Sequence, residues 1–193
     1  MILPVVKYGH PALRQKGARI GSVTLELKQL IANMFETMYA TKGIGLAAQQ
    51  VGKALQLTVL DLRAVTDRKS DLELNGKPAE VNDFMPLVLI NPEVKPVNDL
   101  VLGPEGCLSF PEMYAEILRP ESVDVKALNE KGKPIEFRAG GLLARAVQHE
   151  VDHLNGILFI DRMDRKTKSE LRDELDLLQA ETKAVLESAK KKK

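Results

Sequence analysis

Apolar residues recur at three- and four-residue steps from Thr24 to about Ala40, where Leu27, Leu30, Ile31, Met34 and Met38 share one stripe. That period predicts an amphipathic helix, with Gly43 and Gly45 behind it as stop signals. Gln56 to Leu62 and Pro86 to Ile90 are short apolar runs that read as strands, the second closed by Asn91-Pro92. Between them, Arg63 to Met85 is polar and contains Asn75-Gly76. A structureless loop of that length is unusual in a compact domain, so the stretch reads as an excursion with hairpin character. Val123 to Leu128 and Ile135 to Arg138 alternate on either side of Glu130-Lys131-Gly132-Lys133, which predicts a hairpin. Gly140-Gly141 then breaks the chain before a helix over Leu142 to Leu154, with Gly156 just past its end. A second amphipathic helix is predicted from Lys168 to about Lys190, with Leu171, Leu175, Leu178 and Val185 on one side. The first twenty residues are loop-rich, punctuated by Pro4, Gly9, Pro11 and Gly17. With no repeat and no linker, the pattern predicts one α+β domain over residues 1–193, of which about 165–193 form a C-terminal helix and basic tail.

Composition narrows the class. The chain has 193 residues, 44% of them hydrophobic and 28% charged, which fits a single globular domain and excludes wholesale disorder. Its net charge of +1 is too balanced for a protein that coats nucleic acid, and the small excess is local. Without the terminal run Lys190 to Lys193, 24 basic residues face 27 acidic ones, a net of −3. One cysteine, Cys107, excludes an internal disulfide and fits a reducing compartment. No basic segment followed by a long apolar run opens the chain, and no apolar run is long enough for a membrane span. A cytoplasmic protein with no membrane partner is the expectation.

The chemistry concentrates in three segments. Gln148-His149-Glu150-Val151-Asp152-His153 holds H-E-x-x-H inside a predicted helix, so His149 and His153 share a face and can reach one ion. Glu150 adjoins the first histidine, where it can reach a water on that ion. The bland alternative is a solvated helix face, but two of the chain's three histidines lie in this one motif. A catalytic site of this type needs three protein ligands and an open position. No histidine follows His153, which leaves the carboxylates Asp161, Asp164 and Glu170 downstream, or Cys107 upstream in Gly103-Pro104-Glu105-Gly106-Cys107-Leu108-Ser109. A lone cysteine also reads as a small buried apolar residue, and spacing does not prove that the two segments meet. Gly43-Ile44-Gly45-Leu46-Ala47-Ala48-Gln49-Gln50 permits close approach of another backbone, either a neighbouring strand or an extended peptide. It is neither a phosphate loop nor a dinucleotide fingerprint.

GIGLAAQQ at Gly43 to Gln50, EGCLS at Glu105 to Ser109 and QHEVDHLNG at Gln148 to Gly156, in that order, closely resemble the peptide deformylase family over nearly the whole chain. Arg119-Pro120 and Gly141-Leu142-Leu143-Ala144-Arg145 match as well. The resemblance implies antiparallel strands around a central metal-binding helix, and hydrolysis of the formyl group from the N-terminal formylmethionine of new polypeptides. It implies Cys107, His149 and His153 as ligands of one divalent ion, with a water in the fourth position. Fe(II) is the family's usual metal, and Zn, Ni or Co can occupy the site. Glu150 is implied as general base and then acid, and the Gln50 amide and Leu108 N–H as donors to the oxyanion. Glu105 and Arg119 match positions that pair and brace the cysteine segment. Ile44, Gly45, Leu142 and Ala146 match the methionine pocket, and the peptide is implied to pair its backbone around Gly45.

Three departures stand out: Phe110 before Pro111, where a smaller aliphatic is commoner; Tyr114, where some members carry arginine; and the long 63–85 excursion. Two other classes are weighed against this one, an H-E-x-x-H endopeptidase with a carboxylate as third ligand and a module in which metal serves only the fold. For the C-terminal helix two readings stay open, a surface helix with a solvated tail or a ribosome-docking element. A monomer is the default expectation.

Overall fold

The structure is a computed structural model that describes residues 1–191, with side chains through Ala189. Helix α1 (Leu25–Ala40) starts where the Thr24 hydroxyl accepts the Leu27 N–H at 3.2 Å. It ends in a Schellman arrangement in which the N–H of Lys42 (φ +56°) reaches Tyr39 O at 3.1 Å and that of Gly43 reaches Met38 O at 2.9 Å. The left-handed position therefore falls on Lys42, one residue before the glycine expected to stop the helix.

Strands β1 (Gly45–Ala47), β2 (Leu57–Leu60), β3 (Ser70–Leu74), β4 (Lys77–Pro78) and β5 (Leu87–Pro96) come next, with a helical turn α2 (Val81–Phe84) before β5. After them lie β6 (Leu100–Cys107), β7 (Phe110–Pro120), β8 (Ser122–Leu128), β9 (Pro134–Gly140) and the helix α3 (Gly141–Leu154). Among the described residues the strands form a seven-stranded antiparallel sheet in the order β1-β2-β5-β8-β9-β3-β4 and a separate β6-β7 ribbon. The 63–85 excursion is a hairpin, β3 and β4 around Asn75-Gly76, that extends the sheet beyond β9. Residues 100–120, for which the pattern predicts no strand, are the ribbon.

Alternation on β2 and β5 buries both faces. Leu57, Val59, Val88 and Ile90 pack with Leu27, Ile31, Met34 and Met38 of α1. Leu60, Leu87 and Leu89 pack with Leu142, Leu143, Ala146 and Val147 of α3, so α3 lies against the opposite face. A third cluster joins Leu13, Phe110, Ile117, Phe159 and Leu175.

Two expected boundaries move. Strand β5 does not close at Asn91-Pro92, because Asn91 takes φ +51° at a register shift and the strand continues to Pro96. Asparagine tolerates that conformation, and its amide is tied to both the N–H and C=O of Ile20 at 2.9 and 2.8 Å. The C-terminal helix begins before Lys168 as α4 (Arg165–Glu170), because the Asp164 carboxylate accepts the Lys166 and Thr167 N–H groups. It is interrupted at Leu171, and α5 (Arg172–Lys191) continues from there. Leu175 is buried, whereas Val185 at the far end is exposed. The side chains of the lysine run 190–193 lie outside the described residues.

Candidate active site

α3 carries the site because its apolar stripe is fixed on the sheet while its last turns face the β6-β7 tip. The N-terminus of α3 has no side-chain cap of its own. Two of its free donors are taken by the excursion, where Lys69 O accepts the Leu142 N–H at 2.9 Å and Ser70 Oγ the Leu143 N–H at 3.2 Å, and Glu121 O accepts the Gly141 N–H at 3.2 Å. With the helix held at that end, His149 and His153 lie one turn apart, their ring centroids 5.0 Å from each other.

The tip of the ribbon brings Cys107 to them. One donor atom from each of Cys107, His149 and His153 lies within 4.8 Å of the other two, and Cys107 Sγ is 3.3 Å from His153 Nε2. His149 Nδ1 is spent on Glu105 Oε2 at 2.9 Å, which leaves Nε2 as its free donor. Burial and the neighbouring charges of His149 and Arg119 hold the His153 pKa well below the ordinary value, whereas burial of His149 is outweighed by Cys107 and Glu105, which hold its pKa well above that value. One half-buried thiol and two buried imidazoles, convergent, would suit a divalent transition metal. The carboxylates considered from sequence are elsewhere: Asp161 pairs with Arg14, Asp164 caps α4, and Glu170 lies near Lys166.

Glu150 lies beside this trio. It is 4% exposed, and a Cβ on Gly45 would sit 2.5 Å from its Oε1, so only glycine lets β1 pass so close. Burial pushes the Glu150 carboxyl up to about 7, against the opposing charge of His149 and the Thr58 hydroxyl 3.5 Å from Oε2. A carboxyl poised near neutrality can both take and give a proton. Gln50 Oε1 accepts the Ala47 N–H at 2.8 Å, which turns the amide so that Nε2 faces Cys107 Sγ at 3.5 Å. The Leu108 N–H has no protein acceptor among the described residues, and Lys7 Nζ holds the Leu108 carbonyl at 2.9 Å. Ile44, Gly45, Leu142 and Ala146 line the same cleft, about 550 Å³ in volume.

Behind the ligands is a buried ionic network. Arg119 grips Glu105 with Nε at 2.5 Å and Nη2 at 2.9 Å and reaches Asp152 with Nη1 at 2.7 Å. Arg145 Nη1 adds a bond to Glu105 at 3.0 Å, and Arg162 closes on Asp152. Burial alone would raise the Glu105 pKa, but Arg119 and His149 outweigh it and hold the carboxyl far below its usual range. Arg145, Asp152 and Thr58 are site residues that motif spacing does not assign. Arg145 has a readable signal, being a charge on the otherwise apolar start of α3. Replacing Arg119 with alanine removes three buried hydrogen bonds and a buried charge from between Glu105 and Asp152, leaving Arg145 and His149 on the first and Arg162 on the second. The Arg119→Ala variant is expected to lose about 3–5 kcal/mol of stability and to bind metal about 10–100-fold more weakly. Denaturant midpoints and metal titration check this, and an unchanged midpoint would sink it.

The family model for polypeptide deformylase matches residues 2–169. A peptide deformylase of Opitutus terrae is 43% identical over 186 residues, 95% of this chain and 96% of that one. One from Methylacidiphilum infernorum is 46% identical over 176 residues, 91% of this chain and 92% of the other. Among solved structures, a peptide deformylase of Legionella pneumophila superposes with a TM-score of 0.78 at 34% identity, over 93% of this chain and 96% of its own. The Synechococcus elongatus enzyme in complex with actinonin gives 0.76 at 41% identity, over 90% and 86% of the two chains. By sequence along most of its length and by fold, this chain belongs to the polypeptide deformylase family.

Proposed function

We propose that the chain removes the formyl group from N-formylmethionyl peptides by hydrolysis, releasing formate, with Cys107, His149 and His153 holding one Fe(II). The observation that carries this reading is the convergence of those three donors beside Glu150 at the base of a cleft edged by β1. Zinc, nickel or cobalt suit the same donors, so iron rests on family likeness rather than ligand softness. The bound ion would supply Lewis acidity, lowering the pKa of a water and polarising the formyl carbonyl.

The protein's own groups do the rest. Glu150 takes the proton of the attacking water and delivers it to the departing amine; its raised pKa suits both transfers. Gln50 Nε2, beside Cys107 Sγ, and the Leu108 N–H are the donors offered to the negative charge that develops on the carbonyl oxygen, and each such donor lowers a barrier by about 3 kcal/mol. Among the described residues β1 is an edge strand paired only with β2, so its free side can take an extended peptide as a further strand. Ile44, Leu142 and Ala146 then meet the methionine side chain. The Fe(II)-loaded protein, kept anaerobic, is expected to release formate from a formyl-methionyl peptide and to leave casein uncut. Metal-loaded, folded protein that releases none overturns the assignment.

No helix among the described residues is long and apolar enough to cross a membrane. We further propose a cytoplasmic monomer whose C-terminal helix and basic tail bring it to the ribosome. The exposed Leu177 and Val185 of α5 and the lysines at the end of the chain support that reading. Deleting residues 189–193 is expected to weaken co-sedimentation with ribosomes at low salt. Equal binding by the truncated and full chains at every salt concentration would refute the role of the tail.

A further inference from the structure

The reaction does not account for the first part of the excursion, residues 61–70 between β2 and β3, which is anchored at both ends. At its start, Asp61 is gripped by Arg63 through Nε at 2.9 Å and Nη2 at 2.6 Å, and the Tyr39 hydroxyl donates to the same carboxylate at 2.7 Å. At its far end, Lys69 O and Ser70 Oγ hold the first turn of α3. Gly141, at φ +58°, lies so close under Lys69 that a Cβ there would overlap the Lys69 carbonyl. Arg68 is therefore one residue from a fixed point on the helix that carries the active site. It lines the catalytic cleft, it is half-buried, and among the described residues no carboxylate lies within ion-pair distance of it.

The rest of the cleft mouth has the same sign. Lys7 and Lys42 line it without acidic partners among the described residues, against one exposed carboxylate, Glu112. The buried carboxylate of Glu105 does not offset them, because Arg119 and Arg145 already neutralise it. Field lines focus in such a concave, cationic mouth. The formyl group removes the positive charge that a peptide's N-terminal amine would bring, so charge on the substrate comes only from residues C-terminal to the methionine. We propose that Arg68 is a specificity-determining residue that recognises a carboxylate side chain in the first residues after methionine and disfavours lysine or arginine there. This rests on the deformylase reading of the cleft. A guanidinium matches a carboxylate with two parallel N–H bonds, and partial burial protects the pair from screening.

The contact forms with the peptide and does not change as the formyl group reacts, so it acts on KM and leaves kcat alone. The test uses two series of C-terminal amides, formyl-Met-X-Ala-amide and formyl-Met-Ala-X-amide, with X as Glu, Gln or Lys. In at least one series kcat/KM is expected to fall in the order Glu, Gln, Lys, with about tenfold between the ends at low ionic strength, shrinking as salt is added. Arg68→Ala should cut that ratio at least about threefold and Arg68→Glu should bring it to one or below, both with the kcat of the Gln peptide unchanged. A wild-type ratio of one in both series, or the wild-type ratio persisting in both variants, overturns the proposal while formate release from the Gln peptides upholds the reaction. Absence of formate from every peptide overturns the reaction and the proposal together.

Discussion

Glu150→Gln is expected to lower kcat by about 10³-fold, at the upper end of what general acid–base catalysis contributes, while the protein keeps its metal. Glutamine has the same shape, so it fits the space under Gly45 that admits no extra atom. Its amide can still meet the Thr58 hydroxyl that lies 3.5 Å from Oε2 in the parent. What it cannot do is accept a proton, so the loss reads the proton transfer rather than packing or metal binding. Stability should stay level or rise slightly, because a buried carboxyl whose pKa is raised to about 7 by desolvation is itself a cost to the fold. The check is kcat on a formyl-methionyl peptide together with metal content per chain. Retention of a tenth or more of the parent kcat would show that another group moves the proton.

The helices were legible in the sequence for different reasons: α1 buries one stripe, whose 3.6-residue period survives, whereas α3 is buried on nearly every side and is marked instead by its H-E-x-x-H spacing and the glycines at its two ends. The β6-β7 ribbon was not, and the reason is physical. Its inward positions include Glu105 and Arg119, both buried, and its outward positions include the exposed Leu100, Leu102 and Leu118. The ionic network behind the metal ligands thus breaks the alternation at those positions, although Ala115 and Ile117 of β7 keep it. Gly103, Pro104, Gly106 and Pro111 remove the β-branched residues that would otherwise mark strands. Motif spacing identified Cys107, His149 and Glu150 as candidates without locating them in space. The topology that brings the ribbon tip onto α3 depends on packing between segments 44 to 46 residues apart. Boundaries failed for a local reason, since Asn91 and Lys42 adopt left-handed conformations that sequence patterns assign first to glycine.

Cys107→Ala is expected to abolish both stoichiometric metal binding and formate release, with affinity falling by more than about 10³-fold. The two imidazoles that remain make an incomplete set. No third group can replace the sulfur without rearrangement, because Cys107, His149 and His153 are the metal-binding cluster found among the described residues. Asp161 is engaged by Arg14 and the Leu158 N–H, and the Asp164 carboxylate accepts both Lys166 and Thr167 N–H groups. An endopeptidase with a carboxylate ligand would behave in the opposite way, keeping metal and cutting internal peptide bonds in the alanine variant. Cys107→Asp supplies the control, since a carboxylate on the same tip returns a donor of harder character. It should recover part of the binding for zinc, with a smaller preference for soft metals. Metal per chain by elemental analysis, read beside formate release, separates the outcomes. One equivalent of metal retained in the alanine variant would remove Cys107 from the ligand set and return the site to the peptidase pattern.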